Sequence, residues 1–452
     1  MDLYAKFVKK ISYPLINWRD GIRGIYKHLD FFENTQYLPL DELERIQFLR
    51  LKKIIAHAYE NTTFYKKRFD NAGFNPYGMS SPEELESVPI LTKEDIRENL
   101  PEMLAQNFSQ KELHSSETGG TTGVKIVFYR DNYCLAPKAA ATIRCERWTG
   151  WDIGERVGLV WPARQDYVGA YTIKAKIKND LTERYITLPA AVLSESDIHD
   201  YCQQLKKYKP TKIRCFPYSL YLVARYILEN SITGICTKGV IATGEPLYDH
   251  QREAIEKAFN CRVFDSYGSR ETALIAQECE YHNGMHINME CVFIEFLDEN
   301  GNGVGRGELG RIIVTDLLNY GMPLIRYDLG DLGVPLEKKC PCGRSLPLMG
   351  GIEGRVVDEI VLPSGRKVSS ITLVLYLVDN GPPVGQVQII QDAIDHLTIK
   401  LTNNPLPDET VFRYYSDTTK ELLGKEIRVD FEIVDEILRE PSGKYRFVKS
   451  LL

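Results

Sequence analysis

The chain has 452 residues, too many for one hydrophobic core, so two or more domains are expected. Its hydrophobic share of 43% and charged share of 26% exclude a disordered or fibrous class, and a net charge of −6 argues against a general nucleic-acid binder. No apolar run is long enough to span a bilayer, Met1-Asp2-Leu3-Tyr4 lacks the apolar core of a secretory signal, and the ten cysteines read as mostly reduced thiols of a cytoplasmic protein.

Residues 1–28 place Lys6, Lys9, Lys10, Arg19, Arg23 and Lys27 among Leu3, Phe7, Val8, Ile11, Leu15, Ile16 and Trp18. The favoured reading is an amphipathic segment packed on the body of the protein and interrupted at Pro14. Weak contact with an anionic membrane surface is the second reading. Residues 41–71 read as helices, because apolar residues recur near a 3.6-residue period. Thr92 reads as a helix N-cap with Asp95 at the box position. Residues 116–123 are the most Gly/Thr-rich stretch, and Ile126-Val127-Phe128-Tyr129 reads as the strand after it. Beyond it, strands at 157–161, 211–216, 240–243 and 261–265 alternate with helices at 196–209, 219–229 and 249–259. That alternation predicts α/β layers with parallel sheet. After residue 285 strands and turns replace it. The last hundred residues predict a small α+β module, with strands near 386–402 and 427–434 and a helix near 407–423. Gly350-Gly351 and Gly354 suggest the boundary.

The segment Thr118-Gly119-Gly120-Thr121-Thr122-Gly123-Val124-Lys125 combines three glycines, three hydroxyls and an ammonium. Exposed N–H groups, hydroxyls and a cation together suit a polyphosphate. It lacks the Gly-Lys-Ser/Thr ending of the Walker loop, and a flexible polar hairpin remains the alternative. The segment resembles the phosphate loop of the adenylate-forming superfamily, with Lys125 where a proline is usual. Further motifs follow in that superfamily's order. Thr243-Gly244-Glu245-Pro246-Leu247 resembles the segment beside the adenine. Ser266-Tyr267-Gly268-Ser269-Arg270-Glu271 resembles the signature that stacks on adenine and offers a carboxylate toward Mg²⁺. Arg326-Tyr327-Asp328-Leu329-Gly330-Asp331 resembles the segment whose last aspartate binds the ribose. Gly354-Arg355-Val356-Val357-Asp358 resembles the hinge, and Pro441-Ser442-Gly443-Lys444 the catalytic lysine motif. Read from the residues alone, Asp331 could be a turn or cap residue, or lie at a strand end behind Leu324-Ile325. Tyr267 could be plain core.

Within the superfamily the chain is most similar to the phenylacetate–CoA ligase family and its capsular-polysaccharide-cluster branch. The resemblance implies a large N-terminal domain with parallel sheets and a distorted β-barrel, and a small mobile C-terminal α+β domain. The expected division is 1–95 as helical region, 96–352 as ATP- and acid-binding domain, and 353–452 as the domain carrying the lysine. The implied reaction is ATP-dependent activation of a carboxylic acid to an acyl-adenylate, followed by transfer to CoA, with Lys444 and Glu271 catalytic. An amide synthetase passing the acyl group to an amine is the alternative, and an inactive nucleotide-binding scaffold a third reading. Asp328, Leu329 and Val357 depart from the phenylacetate pattern, so the acid stays open, as does a homodimer. Acid-pocket residues are expected near Trp161, Tyr218 and 242–245. Separately, Cys340-Pro341-Cys342 lies on a Pro/Gly loop, and Cys279 and His286 flank a turn. Two loops each giving two N/S ligands suit structural zinc, with His282 as the runner-up to His286.

Overall fold

A computed structural model describes residues 2–117, 126–161, 172–190, 195–352, 359–364, 367–369, 384–403, 406–438 and 446–452, together with positions 373, 377, 381 and 382. They divide into two compact units: residues 1–329 with 333–351, and residues 330–332 with 352–452.

The larger unit is organised by a nine-stranded sheet. Strands Tyr185–Pro189, Val157–Trp161, Lys212–Cys215, Gly239–Thr243 and Arg262–Ser269 are neighbours in that order and all parallel. Gly239–Thr243 is buried along its whole length, as expected of a strand covered on both faces. The helices Glu195–Tyr208, Pro217–Glu229 and Asp249–Phe259 lie between these strands in the chain, at the positions their periodicity predicts. Val160, Ile213, Val240, Leu205, Val223 and Ile255 share one buried cluster between sheet and helices. The sheet continues antiparallel through Ala273–Glu278, Met285–Ile287, Leu348–Met349 and Pro335–Leu336.

The expected distorted barrel is not found as a closed structure among the described residues. Val292–Leu297, Gly310–Asp316 and Tyr327–Gly333 form a separate three-stranded sheet. The helices Leu40–Asn61 and Thr63–Asn71 match the periodic segment at 41–71. Thr92 caps Lys93–Met103, its hydroxyl accepting from the Asp95 amide at 3.1 Å while Asp95 returns a bond to the Thr92 amide. Pro14 does not interrupt the N-terminal segment. A π-helical turn, Val8–Ser12, joins Leu3–Phe7 to Tyr13–Arg19. The wider turn sits where the ring of Pro14 removes an ordinary i−4 hydrogen bond.

In the smaller unit, Val387–Ala393 and His396–Thr402 form a hairpin. Arg428–Val434 and Val448–Ser450 extend it in parallel on either side. Helix Glu409–Leu423 contributes Val411, Tyr415 and Leu423 to the same core as Ile389, Ile399 and Leu401.

Candidate active site and cysteine cluster

Parallel α/β sheets place ligands beyond the carboxyl ends of their strands. The strand register brings several expected residues to that edge. Val160 pairs with Cys215, Cys215 with Ala242, and Thr243 with Ser266. Trp161, Phe216, Tyr218, Gly244, Glu245 and Tyr267 therefore follow one another along the edge. Gly244 has φ +90°, and a Cβ there would lie 2.7 Å from the Phe216 ring. Both the turn and the ring demand glycine. Phe216 meets Trp161 edge to face at 4.7 Å between centroids. The Glu245 carboxylate accepts from the Tyr218 amide at 2.9 Å, at the positive end of helix Pro217–Glu229.

Tyr267 lies inside strand Arg262–Ser269 and is buried. The register slips between Tyr267 and Gly268, and a Cβ on Gly268 would sit 2.5 Å from the Ala273 carbonyl oxygen. Only glycine lets the two strands cross so closely. The connecting turn is held by Ser269, whose hydroxyl accepts from the Thr272 amide at 3.1 Å. Arg270 is exposed, whereas Glu271 is buried. The Tyr327 hydroxyl donates to Glu271 Oε1 at 2.9 Å. A carboxylate can accept about four hydrogen bonds, so the Tyr327 bond orients it while leaving capacity for a cation. Lys138 belongs to none of the sequence motifs. Its buried ammonium donates to Asp316 Oδ2 at 2.5 Å and to the Glu271 carbonyl at 3.3 Å. Burial pulls that ammonium down, and the Asp316 carboxylate more than offsets the pull, so it stays charged. Only the helical setting of Lys138, with apolar neighbours on its face, could have hinted at it.

Asp331 is buried within strand Tyr327–Gly333, so it is neither a turn nor a cap residue, nor does it follow the strand. Arg326, opening that motif, has φ +52° and forms two hydrogen bonds to Glu295, at 3.1 and 2.8 Å. Thr118, Gly119, Gly120, Thr121, Thr122, Gly123, Lys125, Arg355 and Lys444 lie outside the described residues.

The cysteine cluster is compact. Cys279, His286, Cys340 and Cys342 bring their four ligand atoms within 4.8 Å of one another. Cys279 Sγ and Cys340 Sγ stand 3.5 Å apart, and Cys342 Sγ is 3.3 Å from His286 Nε2. A disulfide needs about 2.0 Å between sulfurs. The observed spacing is close to a tetrahedron edge around a zinc ion with Zn–S near 2.3 Å. His286 Nδ1 lies 3.1 Å from the Leu346 carbonyl, which orients Nε2 toward the cysteines in the manner of an outer-shell partner. Burial pushes the Cys279 thiol up and the His286 imidazole down to about 4. His282 is not part of the cluster. Its Nδ1 lies 3.1 Å from Glu278, which also binds Arg252 through two 3.0 Å contacts. The chain thus brings together all four cysteine-cluster residues from the two loops.

Residues 360–451 match the family model described as the CapK C-terminal domain. The chain is 26% identical to Protein CapK of Staphylococcus aureus over 92% of this chain and 91% of that one. It is 28% identical to the phenylacetate-coenzyme A ligase of Aromatoleum evansii, over 87% and 88% of the two chains. Among solved structures, 2-hydroxyisobutyryl-CoA ligase in the postadenylation state with 2-HIB-AMP aligns with a TM-score of 0.74, 21% identity and coverage of 92% and 90%. That ligase is also known in a thioesterification state with 2-HIB-AMP and CoA. The amide bond synthetase McbA of Marinactinospora thermotolerans aligns with a TM-score of 0.51 and 16% identity, over 82% and 71% of the two chains. The fold is that of adenylate-forming ligases with a small C-terminal domain.

Proposed function

We propose that the chain activates a carboxylic acid with ATP, forming an acyl-adenylate and pyrophosphate, and then transfers the acyl group to CoA. The observation carrying this reading is the hairpin at 262–278, which buries Tyr267 at the sheet edge and fixes the Glu271 carboxylate beneath Tyr327. That hairpin carries the residues that resemble the adenylate-forming motif, in a chain 28% identical to a phenylacetate-coenzyme A ligase over 87% of its length.

The chemistry requires such a site. A carboxylate is a poor acyl donor because its leaving group would be oxide. Attack on the α-phosphate of ATP replaces that leaving group with AMP. Anion then meets anion, so fixed N–H dipoles and cations are needed where charge accumulates. Glu271 would hold a magnesium ion, which would supply positive charge to offset part of that accumulation. Residues 118–125 would cradle the phosphates, and Gly244 and Glu245, with Ser266 to Arg270, would line the adenine. Asp331 would accept from the ribose hydroxyls, with Arg355 near the hinge. Lys444 would reach the attacking carboxylate as a compact charge on a long stem. Trp161, Phe216 and Tyr218 would give the acid an aromatic wall. Zinc in the Cys279, His286, Cys340 and Cys342 set would be structural, because four protein ligands leave no open position.

Transfer to an amine is the second reading. It is supported by the similarity to Protein CapK and by the fold shared with an amide bond synthetase. A nucleotide-binding scaffold without turnover fits poorly with Glu271, Asp331 and Lys444 all present. The test is ATP–pyrophosphate exchange across a panel of carboxylic acids, followed by product analysis with CoA and with amines. Acid-dependent exchange is expected for at least one acid class. Absence of exchange with every acid of the panel would leave the scaffold reading, and acid-dependent exchange yielding only amides would replace CoA as acceptor.

A further inference from the structure

Residues 3–19 form one helical rod whose orientation inverts the usual amphipathic arrangement. Its small residues Ala5, Val8 and Ser12 face the body of the protein, together with Tyr13. Its large apolar residues Leu3, Phe7, Ile11, Leu15 and Trp18 face outward, with Leu3 85% and both Leu15 and Trp18 61% exposed. Single exposed apolar residues are common, but a stripe along one helix is not.

The orientation is fixed by close packing. A Cβ on Gly154, whose φ is +87°, would lie 2.4 Å from the Ala5 carbonyl oxygen. Only small side chains fit between the rod and that turn. Ser12 donates to the Leu181 carbonyl at 2.7 Å, Tyr26 donates to the Lys9 carbonyl, and Lys9 pairs with Asp152. Turning the rod over would break each of these contacts. The neighbouring helix Ile173–Leu181 adds Ile173, 79% exposed, and Ile177. It is tied to the rod by the Tyr4 hydroxyl on the Asp180 carbonyl and by Lys178 on Asp20 at 2.6 Å.

Charge selects the occupant. Residues 1–27 and 172–181 hold nine basic and three acidic residues in a chain of net charge −6. Asp2 pairs with Arg184, and Asp20 with Arg19 and Lys178, which leaves Lys6, Lys10 and Arg23 exposed at the margin of the apolar stripe. A second copy docked by a two-fold axis would set this basic margin against itself. An anionic surface would not. The Arg23 guanidinium lies 5.5 Å over the Trp18 ring, an amphipathic pair suited to the headgroup level of a bilayer.

We propose that the rod 3–19 and the helix Ile173–Leu181 form a peripheral binding face for membranes that carry anionic lipid. The apolar stripe enters the boundary between headgroups and acyl chains with the helix axis in the plane of the surface. The lysines and arginines draw the protein to phosphodiester headgroups.

The test uses the full chain with sedimented vesicles of phosphatidylcholine, alone or mixed with phosphatidylglycerol. Binding is expected to be about tenfold or more stronger to the mixed vesicles and to weaken with salt. The double substitution Leu15→Asp with Trp18→Asp should lose at least about tenfold in binding, with unchanged thermal stability because both side chains are exposed. Lys6→Gln with Lys10→Gln should lose the preference for anionic vesicles. Failure to sediment with either vesicle overturns the proposal, as does equal binding by the double aspartate variant. Self-association of the wild-type chain that the same variant abolishes, without vesicle binding, would assign the face to a second copy instead.

Discussion

Arg144 is fully buried and spans two distant parts of the larger unit. Its guanidinium meets both Glu290 carboxylate oxygens, at 2.6 and 3.3 Å, donates to the Phe32 carbonyl at 3.2 Å, and lies over the Phe32 ring. Asn288 accepts from it too, and the Thr35 hydroxyl donates to Glu290 at 2.8 Å. Arg144→Met would keep most of the volume but strand the Glu290 charge. The expected loss is about 3–5 kcal/mol of unfolding free energy, measured by denaturant titration. A loss below about 1 kcal/mol would mean that water reaches Glu290 once the guanidinium is gone. Nothing local in the sequence distinguishes Arg144 from a solvated helix arginine, because its partners are more than a hundred residues away in either direction. Tyr267 and Glu271 were legible because their motif is contiguous. Phe216 was not, since its role comes from the ring packed against Gly244, a contact made across neighbouring strands. Asp331 was legible as a residue, but its position inside a strand was hidden by Gly330, which reads as a turn and has φ +76°.

The helices and parallel strands of the larger unit were legible because each carries its own apolar period, whereas the expected barrel is not found closed among the described residues, because closure depends on strand pairing rather than on any one strand. The N-terminal segment was readable as amphipathic, yet periodicity gives no sign of which face turns inward; Gly154 and Ser12 decide that. The cysteine cluster was legible from ligand types on two loops, although the choice between His282 and His286 was settled by the fold. Cys340→Ser is expected to lower both metal content and stability, with near-stoichiometric zinc in wild-type protein purified without added metal. Zinc-free wild-type protein by elemental analysis would sink the zinc assignment. In the smaller unit, His396 lies between Asp392, at 2.5 Å from Nδ1, and Asp430, at 3.0 Å from Nε2. The hydrogen bond with Asp392, then that with Asp430, hold its pKa above the usual 6.5. The stabilisation is therefore complete below about pH 6.5 and is lost as pH rises through the higher folded value. His396→Gln should cost stability near pH 5.5 and little near pH 9, compared by thermal melts at both. An equal cost at both would mean that the ring contributes by packing instead of charge.

At the scale of the whole molecule, the change of pattern after residue 285 and the glycines at 350 and 351 pointed to a division, and the compact units part between Gly351 and Ile352. The sequence did not reveal that 330–332 would group with the terminal part, because assignment of three residues to a unit depends on spatial neighbours. The terminal unit carries Lys444, eight residues before Leu452 and directly after Pro441-Ser442-Gly443. We propose that this lysine serves adenylation only, and that the terminal domain rotates afterwards to form the acceptor half-site. Rotation would withdraw a positive charge once pyrophosphate has left, which limits the reverse reaction. Lys444→Ala should then slow pyrophosphate formation from acid and ATP by about 10²-fold or more, the usual cost of losing one charge partner in the transition state. Acyl transfer from a chemically supplied acyl-adenylate should survive largely intact, because that step no longer needs the cation. Equal losses in both assays would show that Lys444 serves folding or general binding. No loss in either would make the terminal motif accidental and shift the search for the cation to Lys125, with Lys125→Ala carried through the same two assays.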